Sequence, residues 1–341
     1  MDIKNNIVVI GASAGGLQAM TELVSHLPEN INAPVFAVLH LSKDSQPDII
    51  LQYLQSNTRL TCRIPVDGES FKKGYFYLAP ANCHMMIGKD VIHVNKGPHE
   101  NRWRPSIDVL FRSAAANYDS NVIGIILTGL LDDGTSGMSA IKRCGGTTIV
   151  QEPSEAAFPD MPTNVINNVT VDYRVSIADI AYILEDLFSK PKQPFTNIPP
   201  DVKLEAEITE RRNFSMENLR QIATHSVFTC PDCGGGLWKI NSDDEIHRYR
   251  CHTGHVYNED ILLKKQQESL EESVWVSIRM LEERRNLLLT MGKHAEESGK
   301  IDHALSYQEK ANETTVHIER LKTLLGIVEE NEEPKQYDKT L

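Results

Sequence analysis

The chain has 341 residues, of which 40% are hydrophobic and 24% charged, and a formal net charge of −12. That length accommodates two or three domains. The acidic balance argues against a sequence-independent nucleic-acid binder, since neutralising phosphates takes lysine and arginine. No apolar run is long enough to span a membrane and no secretory signal opens the chain, so the expectation is a cytoplasmic protein.

In chain order, Ile7-Val8-Val9-Ile10 reads as a buried parallel strand that runs into the small-residue turn Gly11-Ala12-Ser13-Ala14-Gly15-Gly16. Leu17 to Leu27 then has helical spacing. The turn matches G-x-S-x-G, which lifts a serine hydroxyl above a sheet on a sharp strand-to-helix bend. It carries neither the P-loop lysine nor the G-x-G-x-x-G spacing of dinucleotide sites.

A second strand spans Pro34 to Leu39 and ends at His40, followed by a helix over Lys43 to Gln55. Tyr75 to Leu78 is a short strand. Met85 to Ile87 and Val91 to Val94 flank Gly88-Lys89-Asp90 as a hairpin. A helix begins near Pro105-Ser106, with Ile107, Leu110, Phe111, Ala114 and Ala115 on one face. Val122 to Leu127 reads as a strand buried on both faces. After it come a turn through Asp132-Asp133-Gly134, a helix to Cys144, a strand over Thr147 to Gln151 and a helix over Ile177 to Leu187. This alternation predicts an α/β fold with a doubly wound, mainly parallel sheet and a β-hairpin insertion.

In such sheets ligands bind beyond the carboxyl ends of the strands. Ser13, His40 and Asp133 all fall there. A serine needs a base to take its proton, and the base needs a carboxylate to hold its tautomer. The three are candidates for a serine hydrolase site, with Asp132 an alternative third member. The order Ser, His, Asp differs from the Ser…Asp…His of α/β-hydrolases.

Lys190 to Pro200 has the composition of a proline-rich linker, and residues 201–225 read only as a connecting segment. Cys230-Pro-Asp-Cys233 and Cys251-His-Thr-Gly-His255 are separated by 17 residues, the spacing of a zinc ribbon. Cys230, Cys233, Cys251 and His255 are the candidate ligands of a structural Zn²⁺, with His252 competing for the fourth position. Beyond, Leu263, Leu270, Val274, Ile278, Leu281, Leu288 and Met291, then Ile301, Leu305, Ile318, Leu321, Leu325 and Val328, recur at helical spacing around a break at Ser298-Gly299-Lys300. They predict a helical hairpin for self-association or a partner. The domain reading is 1–189, a linker and connecting segment at 190–226, a zinc-ribbon-like module at 227–258, the hairpin at 259–331 and a disordered tail at 332–341.

The combination of Gly-Ala-Ser-Ala-Gly-Gly, Leu39-His40, Arg104-Pro105-Ser106-Ile107-Asp108-Val109-Leu110-Phe111 and Thr128-Gly129 through Asp133-Gly134 resembles the catalytic domain of CheB, the chemotaxis protein-glutamate methylesterases. Leu78-Ala79-Pro80, His84 and Met161-Pro162 fall where that pattern places them. The resemblance covers residues 3 to about 187. It implies hydrolysis of glutamate γ-methyl esters on methylated chemoreceptor-like proteins with release of methanol and no catalytic cofactor, and in some relatives glutamine deamidation. Ser13 matches the nucleophile, His40 the base, Asp133 the orienting carboxylate and Leu130 a backbone N–H that holds the oxyanion. Ala14 N–H, next to the nucleophile, is a second oxyanion candidate on structural grounds, and Arg104 is read as shaping the site. Asp132 falls where the family shows Asn. Typical members carry a receiver domain ahead of the catalytic one. This chain starts within a few residues of its first catalytic strand, so regulation is expected from the C-terminal arm or another protein. The competing reading is a non-catalytic signalling adaptor that binds partners through its zinc module and hairpin.

Overall fold

Every residue of β1 (Ile7–Ala12) is buried, as a strand covered by helices on both faces requires. The structure is a computed structural model and describes residues 6–40, 46–190, 197–211, 216–241 and 246–330. After β1 come α1 (Gly16–His26), β2 (Val35–Leu39), α2 (Pro47–Ser56), β3 (Thr61–Arg63), β4 (Glu69–Ser70), β5 (Tyr75–Leu78), β6 (His84–Ile87) and β7 (Val91–Asn95). They are followed by α3 (Ile107–Tyr118), β8 (Val122–Ile126), α4 (Thr135–Arg143), β9 (Thr147–Gln151), α5 (Asp160–Asn168), β10 (Tyr173–Val175) and α6 (Ile177–Ser189).

Seven strands form one sheet in the order β10-β9-β8-β1-β2-β5-β3, and every pairing in it is parallel. The chain leaves β1 toward β2 on one side and later returns to β8 on the other. The switch point therefore lies between β1 and β8, where a doubly wound sheet opens a crevice at its carboxyl edge. Alternate side chains of β1 enter different cores. Ile7 and Val9 pack with Ile107, Phe111, Met138 and Val165 from α3, α4 and α5. Val8 and Ile10 pack with Met20, Leu23, Ile180 and Leu184 from α1 and α6. The predicted hairpin is β6–β7, and β4 extends it into a three-stranded antiparallel sheet.

The stretch read as a connecting segment differs from that expectation. Its first part is α7 (Pro200–Arg211), in which Val202, Glu205, Ala206 and Ile208 are buried. Arg143 at the end of α4 makes two hydrogen bonds, 2.8 and 2.9 Å, to Asp201 in its first turn. Then come α8 (Met216–Ile222) and β11 (Ala223–Thr229), with β12 (Gly236–Ile240), β13 (Arg248–Cys251) and β14 (Val256–Asn258) completing a four-stranded antiparallel sheet in chain order. That sheet belongs to the same compact unit as the parallel one, Met1–Ile261. Residues 200–211 are thus part of a packed body and not a tether.

The second unit, Leu262–Leu341, contains most of α9 (Glu259–Glu297) and all of α10 (Ile301–Glu330). Val274, Ile278, Ile318 and Leu325 form its core, with Leu281 and Leu321 packed against them. Leu263, Leu270, Ile301 and Leu305 of the same periodic pattern are exposed. The start of the predicted helix at Lys43, Pro191 and Pro194 of the predicted linker and the tail 332–341 lie outside the described residues. Among the described residues, no helix is long and apolar enough to cross a membrane.

Candidate active site

Ser13 stands just beyond β1, and its N–H donates to Thr128 O (3.0 Å), which ties it to the turn after β8. Gly15, with φ 71°, makes the left-handed step that opens α1. Few residues with a Cβ adopt that conformation, which accounts for glycine there. Gly129 is needed for space instead: a Cβ on it would lie 2.9 Å from Ser13 Cβ and 2.8 Å from Met161 Cε. Backbone bonds from Gly129 N to Phe158 O (3.0 Å) and from Met161 N to Gly129 O (2.9 Å) hold this turn against the serine.

His40 follows β2, and its N–H donates to Ala12 O (3.1 Å). Its Nδ1 is 3.2 Å from Ser13 Oγ and its Nε2 is 2.8 Å from Asp133 Oδ2. An ionised carboxylate only accepts, so the proton sits on Nε2 and Nδ1 is left to accept from the Ser13 hydroxyl. The His40 side chain is 1% exposed. Its ring stacks on the indole of Trp103, with centroids 3.9 Å apart and planes 10° from parallel.

Asp133 is buried at the amino end of α3. Oδ2 also accepts from Ile107 N–H (2.7 Å), and Oδ1 accepts from Ser106 Oγ–H (2.9 Å) and Asp108 N–H (3.3 Å). Burial alone would raise its pKa. The hydrogen bond and charge of His40, the Ile107 N–H and the Ser106 hydroxyl outweigh burial and bring it below the ordinary carboxylate value. The helix dipole favours the same anion. It is Asp133, not Asp132, that reaches His40. Asp132 is pushed up to about 7, first by burial and then by the charge of Asp133.

Leu130 and Ala14 carry the N–H groups read from the sequence as oxyanion candidates. Leu130 follows Gly129, with its side chain 43% exposed, and Ala14 follows Ser13. Arg104 takes a different part: its guanidinium donates to Asn82 Oδ1 (2.6 and 2.9 Å) and Gly97 O (2.8 Å), so it pins the loop ahead of α3. An open cavity of about 730 Å³ lies beside Ser13 and His40, bounded on its far side by Ile49, Ile50 and Tyr53 of α2. The arrangement is equipped for acyl transfer: a hydroxyl, a base held in one tautomer by an ionised carboxylate, and space for a side chain to enter.

Trp103 was missed in the sequence, and His84 and Asp108 entered only as part of the family pattern, with no role given to either. Trp103 has no periodicity to mark it, and only its place beside Arg104-Pro105 could have drawn attention. His84 Nε2–H donates to Pro98 O (2.8 Å) while Nδ1 accepts from Ser106 N–H (3.3 Å), and burial holds the ring neutral. Asp108 looks like an ordinary first-turn acid but is 2% exposed.

The second constellation is Cys230, Cys233, Cys251 and His255, whose ligand atoms all lie within 4.8 Å of one another. Zinc with Zn–S near 2.3 Å and Zn–N near 2.0 Å in a tetrahedron implies S···S edges of about 3.8 Å and S···N edges of about 3.5 Å. Cys233 Sγ and Cys251 Sγ are 3.7 Å apart, and His255 Nδ1 is 3.6 Å from Cys230 Sγ and 3.5 Å from Cys251 Sγ. The residues fit the ion. His252 is exposed and lies outside the cluster.

A family model described as CheB methylesterase matches residues 8–184. A putative protein-glutamate methylesterase/protein-glutamine glutaminase of Leptospira interrogans is 37% identical over 175 residues, covering 51% of this chain and 90% of that protein. The protein-glutamate methylesterase/protein-glutamine glutaminase of Thermotoga maritima is 34% identical over 175 residues, 50% of this chain and 51% of that relative. Among solved structures, the crystal structure of the Thermotoga maritima CheB methylesterase catalytic domain superposes with a TM-score of 0.52 at 32% identity, covering 54% of this chain and 100% of that one.

Proposed function

The chain belongs to the CheB methylesterase family and acts as a protein-glutamate methylesterase, and we propose that Ser13, His40 and Asp133 carry this reaction on methylated chemoreceptor-like signalling proteins. The supporting observation is the hydrogen-bonded line from Ser13 Oγ through both His40 nitrogens to Asp133, at the switch point of the sheet.

Ser13 Oγ attacks the γ-carbonyl carbon of the glutamyl methyl ester as His40 Nδ1 takes the hydroxyl proton. The N–H groups of Ala14 and Leu130 receive the oxyanion of the tetrahedral intermediate. Asp133, kept ionised by its four donors, stabilises the imidazolium. The C–OCH₃ bond breaks, methanol departs with the proton from Nδ1, and an acyl-serine remains. Water, deprotonated by the same nitrogen, hydrolyses that ester to the glutamate carboxylate and restores Ser13. Glutamine follows the same course with ammonia leaving. No cofactor enters any step.

We read the Cys230, Cys233, Cys251 and His255 cluster as a structural zinc site. With four protein ligands, bound zinc would crosslink the two knuckles and add on the order of 10 kcal/mol to folding. The exposed Leu263, Leu270 and Met280 of α9 support a role for the helical unit in meeting a partner or another copy. Work in the cytoplasm is consistent with six cysteines that form no disulfide.

The deciding experiment is methanol release from methylated receptor fragments by the full chain and its Ser13→Ala variant. The variant should fold normally and lose roughly 10⁴-fold or more of the rate. Undiminished release would rule out Ser13 as nucleophile.

A further inference from the structure

The loop between β7 and α3 is held from two directions. On one side it builds the active site, through the Trp103 ring stacked on His40 and Asn101 Nδ2–H donating to Asp108 (3.1 Å). On the other it is gripped by the strand that follows the second cysteine-histidine knuckle. Val256, adjacent to the ligand His255, donates its N–H to His99 O (3.4 Å), and its carbonyl accepts from Asn101 N–H (2.9 Å). Asn258 N–H donates to Asn101 Oδ1 (3.2 Å), and Arg250, adjacent to the ligand Cys251, lies 3.6 Å from buried Glu100.

The loop does not adopt this shape for its own sake. Asn101 (φ 47°) and Arg102 (φ 72°) are both left-handed without being glycine, a strained conformation that persists only where the surroundings impose it. β14 together with its knuckle imposes it at Asn101, beside Arg104, which pins the same loop to Asn82. Cys251 N–H to His255 O (3.0 Å) and Gly254 N–H to Cys251 O (3.0 Å) close that knuckle, β13 and β14 pair on either side of it, and the ligand set ties it to the first knuckle.

We propose that metal binding at Cys230, Cys233, Cys251 and His255 sets the position of Trp103 on His40, so that Trp103 is a positioning residue and the esterase reaches its full rate only when the knuckle is loaded. This rests on the structural zinc reading above. The path is short: His255 to Val256, Val256 to Asn101, and two residues along the loop to Trp103. Zinc has no part in the chemistry; it holds the loop that orients the base.

The test uses the full chain and three readouts: zinc per chain, amide exchange along residues 97–104, and the rate at which a fluorophosphonate labels Ser13. Removing zinc with a chelator should raise exchange in 97–104 and slow labelling about tenfold, near the upper worth of one ring–ring contact. Added zinc should reverse both. Cys233→Ser, which changes the exposed ligand, should do the same. If that variant fails to fold, chelation of the native chain still gives the result. Independently, Trp103→Leu should keep its zinc and its melting temperature yet label about tenfold slower, with Trp103→Phe restoring most of the rate because it keeps a flat ring. Loss of zinc with exchange and labelling unchanged would overturn the coupling and leave the zinc site standing. Equal labelling by the Leu and Phe variants would overturn the positioning role. A chain that neither contains nor takes up zinc would overturn the zinc reading, and this inference with it.

Discussion

Asp108 and Asp133 each cap the helix that belongs to the other. Asp133, just ahead of α4, accepts from Ile107 N–H and Asp108 N–H at the start of α3. Asp108, in the first turn of α3, accepts from Gly134 N–H (3.0 Å) and Gly137 N–H (2.6 Å) at the start of α4. Neither helix has a capping side chain of its own. The exchange locks the two helices together beside β8 and brings the Asp133 carboxylate to His40.

Asp108→Ala should therefore damage more than one helix end. It leaves two buried N–H groups without their acceptor and loosens the seat of Asp133. A cap is worth about 1 kcal/mol, and an unsatisfied buried donor costs about 1–3. Urea unfolding should show a loss of about 2 kcal/mol or more. Esterase activity should fall with it, although the bonds of Asp108 run to Asn101, Gly134 and Gly137. Unchanged stability with full activity would show that the reciprocal caps are not what holds Asp133.

Asp133→Asn separates orientation from charge. An amide keeps the shape and an acceptor oxygen, but it no longer stabilises an imidazolium or dictates which His40 nitrogen carries the proton. The kcat for methyl-ester hydrolysis should fall by roughly 10³ to 10⁴, with KM little altered, because the loss is confined to the transition state. A comparable rise in KM would mean that Asp133 serves substrate binding instead.

Asp132 offers a test by pH. Its carboxyl is raised to about 7 by burial and by Asp133, whereas in the unfolded chain it has an ordinary acid pKa. Between those values the folded state holds a proton that the unfolded state has lost, so this group makes stability fall as pH rises through the window and level off above it. Three pKa units at about 1.4 kcal/mol each set a ceiling of ~4 kcal/mol; the side chain is not fully enclosed, so about 2 is expected. Asp132→Asn should be more stable than the native chain at pH 8 by that amount and close to it near pH 4. Equal stability at both pH values would place Asp132 in ordinary solvent.

The sequence exposes some of this site plainly and hides the rest for physical reasons. β1, β2 and β8 are apolar runs because helices cover both their faces, so their carboxyl ends, and hence Ser13, His40 and Asp133, can be placed without coordinates. β3 and β10 are three-residue edge strands of mixed exposure, too short to show a period. Trp103 acts through a ring contact with a residue far away in the chain, which no local pattern encodes. The glycine-rich turn was recognisable, but not that Gly129 is there to leave room for the serine. α7 was obscured because one residue on its buried face is a glutamate, and a charged side chain on that face breaks the apolar spacing by which helices are recognised.

That glutamate, Glu205, makes the last prediction. It accepts two bonds from Arg248 (2.8 and 2.9 Å) and lies 3.2 Å from Arg112 and 3.7 Å from Arg250, and all four side chains are 5% exposed or less. Burial works against its charge, but Arg112 and Arg248 overcome this and lower it to about 2. Arg112 is shared with Glu100, so Glu100 and Glu205 together face three buried guanidiniums. Removing one partner of a buried pair costs about 3–5 kcal/mol, because the other charge is left without compensation. Glu205→Ala should lose about that much in denaturant unfolding and should release both α7 and β13. Glu205→Gln keeps the shape without the charge, and it should be nearly as damaging if the charge is what matters. A mild effect of Gln beside a severe effect of Ala would instead assign the role of Glu205 to packing and hydrogen bonding.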